Sequence, residues 1–297
     1  MVKCQACHSL KHKKIWEGNA RIGKIGNLSN SMSKCYRCNK CKSITSIQSS
    51  IYKENYFRNG HYRRSVDGKK SISINDYFIN HYKETLQYLD NIEKDYIIGK
   101  KVLDFGSGAG SFLRFLSPFI KTGIGIELDE NFHFKKNNII NLKSFKESDE
   151  VCKKFDLITS YSVFGQLIDS RKILNKLVSR LKSNGILIIA DVNANDYLLT
   201  EGNKKYKDQI FFRESYQNYY TKKGLIAMCK KNNLSLLSSR FIQRYDYSNA
   251  LKYITKEKIE KKIDILSSKK YIRKYYQKFL EIEEISDYMM LTFKKNN

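Results

Sequence analysis

VLDFGSGAGSF, from Val102 to Phe112, reads as an apolar strand that ends at Phe105, a turn carrying Gly106, Gly108 and Gly110, and then the start of a helix. Glycines let the backbone turn tightly and approach a ligand at a helix N-terminus. A dinucleotide fingerprint would be spaced G-x-G-x-x-G, with its third glycine where Ser111 stands. Asp104 lies two residues ahead of the first glycine. A carboxylate there repels a pyrophosphate but suits a ligand bearing an ammonium and a sulfonium, so the turn argues against NAD.

Downstream, short apolar runs alternate with amphipathic stretches. KKVLDF, GIGIEL, FDLITS and GILIIADV are strand-like, and helical patterns separate them. That alternation predicts a parallel sheet with crossover helices. The strand in GIGIEL, Gly123 to Leu128, ends at Glu127, 21 residues beyond Gly106, with Leu128 beside it. An acidic side chain at the end of a second strand can accept from both hydroxyls of a ribose; Asp129 is the fallback. An adenine would lie near Asn141 to Phe145, against Ser144 and Phe145. Ser160, Tyr161 and Gln166 follow the fourth strand at the carboxyl edge, where open α/β sheets bind ligands. LSLLSSRFI and DYMMLTF are two further strands expected to form an antiparallel edge. The charged helical stretch from Thr255 to Ile285 lies between them as an insertion forming a lid or substrate wall.

Upstream of the sheet, Tyr77, Phe78, His81, Tyr82, Thr85, Leu86 and Leu89 recur at helical spacing, predicting a helix that leads into the main domain. Five of the seven cysteines crowd the N-terminus, whereas Cys152 and Cys229 stand alone in apolar segments. Cys4 and Cys7 form one C-x-x-C knuckle; Cys35, Cys38 and Cys41 form two overlapping ones. In a reducing compartment this pattern reads as a four-thiolate zinc site rather than disulfides. Such a site has no open position for a catalytic water, so the Zn2+ is expected to be structural. His8 and His12 are left over. The expected organisation is a cysteine-rich module over 1–50 and a second domain over 51–297. The latter divides into a helical lead-in (51–98), a Rossmann-like core (99–244), a helical lid (245–286) and a last strand (287–297).

The chain has 55 Lys and Arg against 30 Asp and Glu, a formal charge of +25. The basic residues are spread along the whole chain, so the charge reads as a general bias that favours acidic small substrates rather than as a nucleic-acid interface. No apolar run is long enough to cross a bilayer, and the first residues lack the apolar core of a signal peptide. The expected location is cytoplasmic.

Taken as blocks, VLDFGSGAGSF, GIGIELDE, FDLITSYSVF, LKSNGILIIADVN, RYDYSNAL and SDYMMLTFKK resemble class I methyltransferases. They most resemble the bacterial branch found with surface-polysaccharide and sugar-modifying enzymes, which often carries an N-terminal zinc-binding segment. The resemblance implies S-adenosylmethionine as cofactor, on Asp104, Gly106, Gly108, Gly110 and Glu127. RCNKCKSIT resembles that branch's second knuckle, which implies Cys4, Cys7, Cys38 and Cys41 as the zinc ligands. The implied acceptor is a small polar molecule, a sugar or nucleotide-linked sugar or a substituent of one, in capsule or polysaccharide biosynthesis.

The chain departs from this pattern at three places where the branch carries histidine. Gly165 and Gln166 replace a Glu-His pair, Tyr216 stands in SYQNYYT, and Ala250 stands in RYDYSNAL. Methyl transfer from a sulfonium depends mainly on in-line positioning. A hydroxyl acceptor gains about 10²–10⁴-fold from a general base, whereas a free amine or anionic oxygen gains little. The loss of the histidines points to such a self-sufficient nucleophile, or moves the base to Asp191, Glu214, Tyr216 or His81. An RNA methyltransferase gripping RNA with its zinc knuckles, and a cofactor-binding homologue without catalysis, are the competing readings.

Overall fold

A computed structural model of the chain describes residues 2–48, 54–58, 60–67, 73–254 and 270–297. Its first three strands, β1 (His12–Arg21), β2 (Leu28–Cys38) and β3 (Ile44–Gln48), form an antiparallel meander. Along β1 every second residue from Trp16 to Ala20 turns inward, so one face is apolar and the other carries Glu17 and Asn19.

The runs after Gly99 form β4 (Lys101–Phe105), β5 (Thr122–Ile126), β6 (Phe134–Lys136), β7 (Ile139–Leu142), β8 (Phe155–Tyr161) and β9 (Leu181–Val192). A short β10 (Asn218–Tyr219) precedes β11 (Leu234–Ile242) and β12 (Tyr288–Lys295). All of these except β10 build an eight-stranded sheet in the order β11-β12-β9-β8-β4-β5-β7-β6. The central pairs β9-β8, β8-β4, β4-β5 and β5-β7 are parallel, while β12 runs antiparallel to both β9 and β11. The six strands expected from the sequence and their antiparallel edge are therefore present. β6 adds a short antiparallel border beside β7.

Both faces of the inner strands β4, β5, β8, β9 and β12 are buried, which explains why these read as continuously apolar runs rather than alternating ones, whereas the edge strands β6 and β11 are partly exposed. Val102, Ile186, Ile188 and Met290 face one core, with Tyr88 of the helix Ile74–Leu89 and Phe112 of the helix Ser111–Leu116. Leu103, Leu187, Ile189 and Met289 face the other, with Leu174 of the helix Ser170–Arg180 and Leu225 of the helix Lys222–Lys230.

The N-terminal meander does not stand apart. β3 pairs with β10, so a segment between β9 and β11 supplies its fourth strand. Trp16 stacks on Phe212 with ring centroids 4.6 Å apart, and its indole donates to Asp208 at 2.7 Å. The expected boundary near residue 50 is thus crossed by backbone pairing and by a shared core. Of the stretch expected to be a lid, residues 255–269 lie outside the described residues; the helices Tyr247–Ile254 and Lys270–Ile282 flank them.

Candidate functional site

Chain order reverses at β4. The connection from β4 runs outward through β5 to β7, and β8 then returns to the opposite side of β4. Open α/β sheets bind ligands at such a switch point, beyond the carboxyl ends of the strands. The glycine turn lies there. Gly106, Gly108 and Gly110 all hold positive φ, at 79°, 54° and 69°. A side chain at Gly106 would put its Cβ 2.3 Å from Val163, and one at Gly110 would put it 2.6 Å from Phe134.

Two carboxylates flank the turn. Glu127 accepts from Gly108 N at 2.7 Å and from Asp129 N at 2.9 Å, so it braces the turn from the end of β5. Asp104 is buried, and its one hydrogen-bond partner among the described residues is the Thr159 hydroxyl at 2.8 Å. Burial pushes its carboxyl up to about 7; Thr159 opposes the rise and Glu127 adds to it. Beside it, Tyr161 stacks on Tyr88 at 4.3 Å, and the Tyr161 hydroxyl is buried without a partner. A buried carboxyl short of charge compensation and a buried orphan hydroxyl are the features a cationic polar ligand would satisfy.

Other positions named from the sequence have defined local roles. Leu128 is half-buried after Glu127. Ser144 caps the helix Phe145–Val151 by accepting from Glu147 N, and the Phe145 ring packs against Phe105 at 5.4 Å and Arg180 at 4.5 Å. The Ser160 hydroxyl donates to Phe105 O at 3.2 Å, tying β8 to β4. Gln166 donates to Ser162 O at 2.7 Å.

Asn141, at the end of β7, donates to Gly108 O at 2.8 Å and Phe132 O at 2.7 Å, which holds the turn in shape. Gly125 makes room for it, because a Cβ there would sit 1.9 Å from Asn141 Oδ1. The sequence marks Asn141 only as part of the region expected beside an adenine, and no motif signals Arg63. From the helix His61–Asp67, Arg63 reaches Glu127 at 3.5 Å and lies over the Tyr77 ring at 4.5 Å, so two helices of the lead-in cover Gly108.

Of the four candidate bases, only Asp191 and Tyr216 are brought together. Asp191 is buried and accepts from Gly165 N and Val192 N, each at 2.8 Å, and from the Tyr216 hydroxyl at 3.1 Å. Burial raises the Asp191 carboxyl, although these three bonds oppose the rise. Burial, reinforced by Asp191, pushes the Tyr216 phenol well above its usual range. Neither group is placed as a strong base: the carboxylate is occupied, and the phenol stays protonated. Glu214 accepts from Ser29 at 3.0 Å and Ser31 at 3.3 Å, hydroxyls of β2. His81 stacks on Tyr77 at 4.2 Å and faces Glu84 at 3.6 Å. Two departures from the histidine pattern also explain one another: a Cβ at Gly165 would lie 2.6 Å from the Tyr216 ring.

At the N-terminus, the sulfurs of Cys4, Cys7, Cys38 and Cys41 lie within 4.8 Å of one another. The pairs Cys4–Cys41 and Cys7–Cys38 stand 3.6 and 3.5 Å apart. Tetrahedral zinc with Zn–S bonds of about 2.3 Å needs sulfurs about 3.8 Å apart, so the cluster fits the metal. Cys35 belongs instead to the core around Trp16. The knuckle is clamped to the main domain. Thr221, the cap of the helix Lys222–Lys230, donates to Cys41 O at 2.6 Å, and Arg171 donates to Gln5 O and Ala6 O.

The strand order and the glycine turn at its switch point define a Rossmann-like class I methyltransferase. A family model described as a methyltransferase domain matches residues 81–239, and the chain belongs to that family, whose members use S-adenosylmethionine. A curated ubiquinone biosynthesis O-methyltransferase of Pelagibacter ubique (strain HTCC1062) is 28% identical over 167 residues, covering 50% of this chain and 70% of the relative. A structure of a SAM-dependent methyltransferase from Archaeoglobus fulgidus is similar at a TM-score of 0.48 and 16% identity, over 74% of this chain and 99% of the other. An S-adenosylmethionine-dependent methyltransferase structure from Mesorhizobium loti is similar at a TM-score of 0.46 and 9% identity, over 72% and 97% of the two chains.

Proposed function

We propose that this methyltransferase acts on a small polar acceptor, a sugar or nucleotide-linked sugar or a substituent of one, in surface-polysaccharide biosynthesis in the cytoplasm. In this reading Glu127 takes the ribose hydroxyls, with Leu128, Ser144 and Phe145 beside the adenine. Asp104, Tyr161, Ser160 and the glycine turn take the methionine end. The observation that carries the cofactor half of the reading is the Asp104 environment: a buried carboxyl beside the buried, unpartnered Tyr161 hydroxyl, pushed up to about 7, that a cationic ligand would return to its ionised form.

Bound S-adenosylmethionine supplies an activated methyl group. What the chain's residues must do is hold the acceptor in line and exclude water. Asp191 fixes the backbone at Gly165 and the ring of Tyr216, which makes this pair a positioning element at the floor of the acceptor region. With the Asp191 carboxylate occupied and the Tyr216 phenol held protonated, this reading takes an acceptor that needs no base from that pair, an amine or an oxygen already anionic. The 28% identical relative is named for O-methylation in ubiquinone biosynthesis, which supports a small acceptor. The four-cysteine cluster supports a structural Zn2+ that pins the N-terminal knuckle to the helix Lys222–Lys230.

A labelled-methyl assay tests the acceptor class, with total RNA offered beside a panel of nucleotide sugars and amino sugars at low and high salt. The expected result is labelling of a member of the panel with a mild salt dependence. An RNA acceptor would instead lose about 10³–10⁵ in affinity between about 50 and 200 mM salt for 6–10 phosphate contacts. Sequence-selective RNA labelling with that dependence would overturn the small-acceptor reading.

A further inference from the structure

Two arginines meet side by side where the N-terminal sheet joins the main domain. Arg21, the last residue of β1, forms a parallel bridge with Arg213; Arg21 N donates to Phe212 O at 2.9 Å and Glu214 N donates to Arg21 O at 3.0 Å. Like charges directly opposite on paired backbone repel, and half-buried ones do so with little solvent to screen them.

Arg63, Arg180 and Arg244 each meet a carboxylate: Glu127, Asp149 and Asp287 respectively. Among the described residues, neither Arg21 nor Arg213 meets one, and the Nε of each is buried without a hydrogen-bond partner. Burial and the neighbouring Arg213 guanidinium push Arg21 down to about 10. The neighbouring carboxylate, Glu214, accepts from Ser29 and Ser31 instead. Against burial, the neighbouring Tyr216, Tyr62 and Tyr245 hold the Arg213 guanidinium above its ordinary value, so it is Arg21 whose desolvated charge is left short of compensation unless something else completes the pair.

The space beside them is a cleft of about 490 Å³, whose lining includes Arg21, Lys24, Tyr62, Ser65, Arg213 and one carboxylate, Glu214, held by Ser29 and Ser31. It connects to the carboxyl edge of the large sheet through two tyrosines. Gln166, which binds Ser162 O just beyond β8, donates to the Tyr62 hydroxyl at 3.4 Å. The Arg213 guanidinium lies over the Tyr216 ring at 5.1 Å, and Tyr216 donates to Asp191.

We propose that this cleft binds an oxyanion of the acceptor, a phosphate or a carboxylate, gripped between the guanidinium groups of Arg21 and Arg213. Planar guanidinium forks match either anion through paired N–H bonds. Lys24 at the rim adds positive charge, and Tyr62 and Ser65 offer hydroxyls. The proposal rests on the methyltransferase reading only in calling the bound molecule the acceptor. It narrows that reading to an anionic acceptor, anchored at a site remote from the methyl group.

Calorimetry on the full chain saturated with S-adenosylhomocysteine tests this, with inorganic pyrophosphate and malonate as probes. Wild type, Arg21→Gln, Arg213→Gln, the double variant and the distal surface control Lys83→Gln are compared. At least one probe should bind wild type and the control equally. Each single arginine substitution should weaken it tenfold or more. Preference for pyrophosphate assigns a phosphate, and preference for malonate a carboxylate. Thermal unfolding without anion supplies a second reading: removing Arg21 should leave Tm unchanged or higher, since burial and Arg213 disfavour its charge in the fold, whereas a structural arginine would lower it. Absence of saturable binding to wild type, equal affinity in the double variant, or a lowered Tm with unchanged affinity overturns the site. The S-adenosylhomocysteine titration in the same samples reports on the methyltransferase reading separately.

Discussion

Replacing Asp104 with Asn removes a charge without changing the shape of the side chain, and its effect on stability has a definite sign. Between its ordinary value of 3.8 and about 7, the folded protein holds a proton on Asp104 that the unfolded chain has released. Stability therefore falls as pH rises through this window, and the loss is complete above the folded value. At about 1.4 kcal/mol per pH unit, ionising Asp104 costs the fold up to about 4 kcal/mol by pH 8. Asp104→Asn can still accept from Thr159 but never ionises, so its stability advantage over wild type should grow by that amount from pH 4 to pH 8. Asp196, which burial also pushes up to about 7, is present in both proteins and cancels in the difference. Urea midpoints followed by the emission of Trp16, the chain's one tryptophan, give the two pH profiles. Saturating S-adenosylmethionine should flatten the wild-type profile, because its ammonium favours the carboxylate. Parallel profiles for the two proteins would refute the assignment of a desolvated, uncompensated carboxylate.

Two further outcomes concern the cysteine knuckle. Reduced protein should carry about one zinc per chain, and a Cys38→Ser, Cys41→Ser double variant should lose it and unfold at a lower temperature; full zinc retention would move the ligands elsewhere. Gly224→Ala would place a Cβ 2.1 Å from Ser43 Oγ and 3.2 Å from Ala6, under the knuckle. It should cost about 1–3 kcal/mol and speed zinc loss to a chelator; unchanged release kinetics would show that the knuckle is not clamped there.

The parallel core was legible because strands buried on both faces leave continuous apolar runs, as in GILIIADV, and because the glycine turn marks where the first of them ends. The cysteine knuckle was legible because each C-x-x-C brings two thiols to one turn, whereas the approach of Cys4 to Cys41 and of Cys7 to Cys38 is set by the fold. The meander was not: on β1 only Trp16, Gly18 and Ala20 face inward near its centre, too little apolar signal for a period of two to show. Nor was the pairing of β3 with β10, a contact between segments more than 170 residues apart. Arg21, Arg63 and Arg213 were hidden among 55 basic residues; only the fold reveals that one meets Glu127 and that two face each other. That only Asp191 and Tyr216 among the candidate bases meet was hidden for a related reason. Sequence puts Asp191 at the carboxyl edge, but its hydrogen bonds to Gly165, Val192 and Tyr216 appear only in three dimensions.

The central claim is that the turn between β4 and the helix Ser111–Leu116, with Asp104 and Glu127 on either side, holds S-adenosylmethionine. Calorimetric titration of the cofactor into wild type, Asp104→Ala and Glu127→Ala tests it most directly, with circular dichroism to show that each variant is folded. Each substitution removes a charged hydrogen-bond acceptor worth about 1.5–3 kcal/mol, so affinity should fall by roughly 10–100-fold in each. Unchanged affinity in two folded variants would contradict the account.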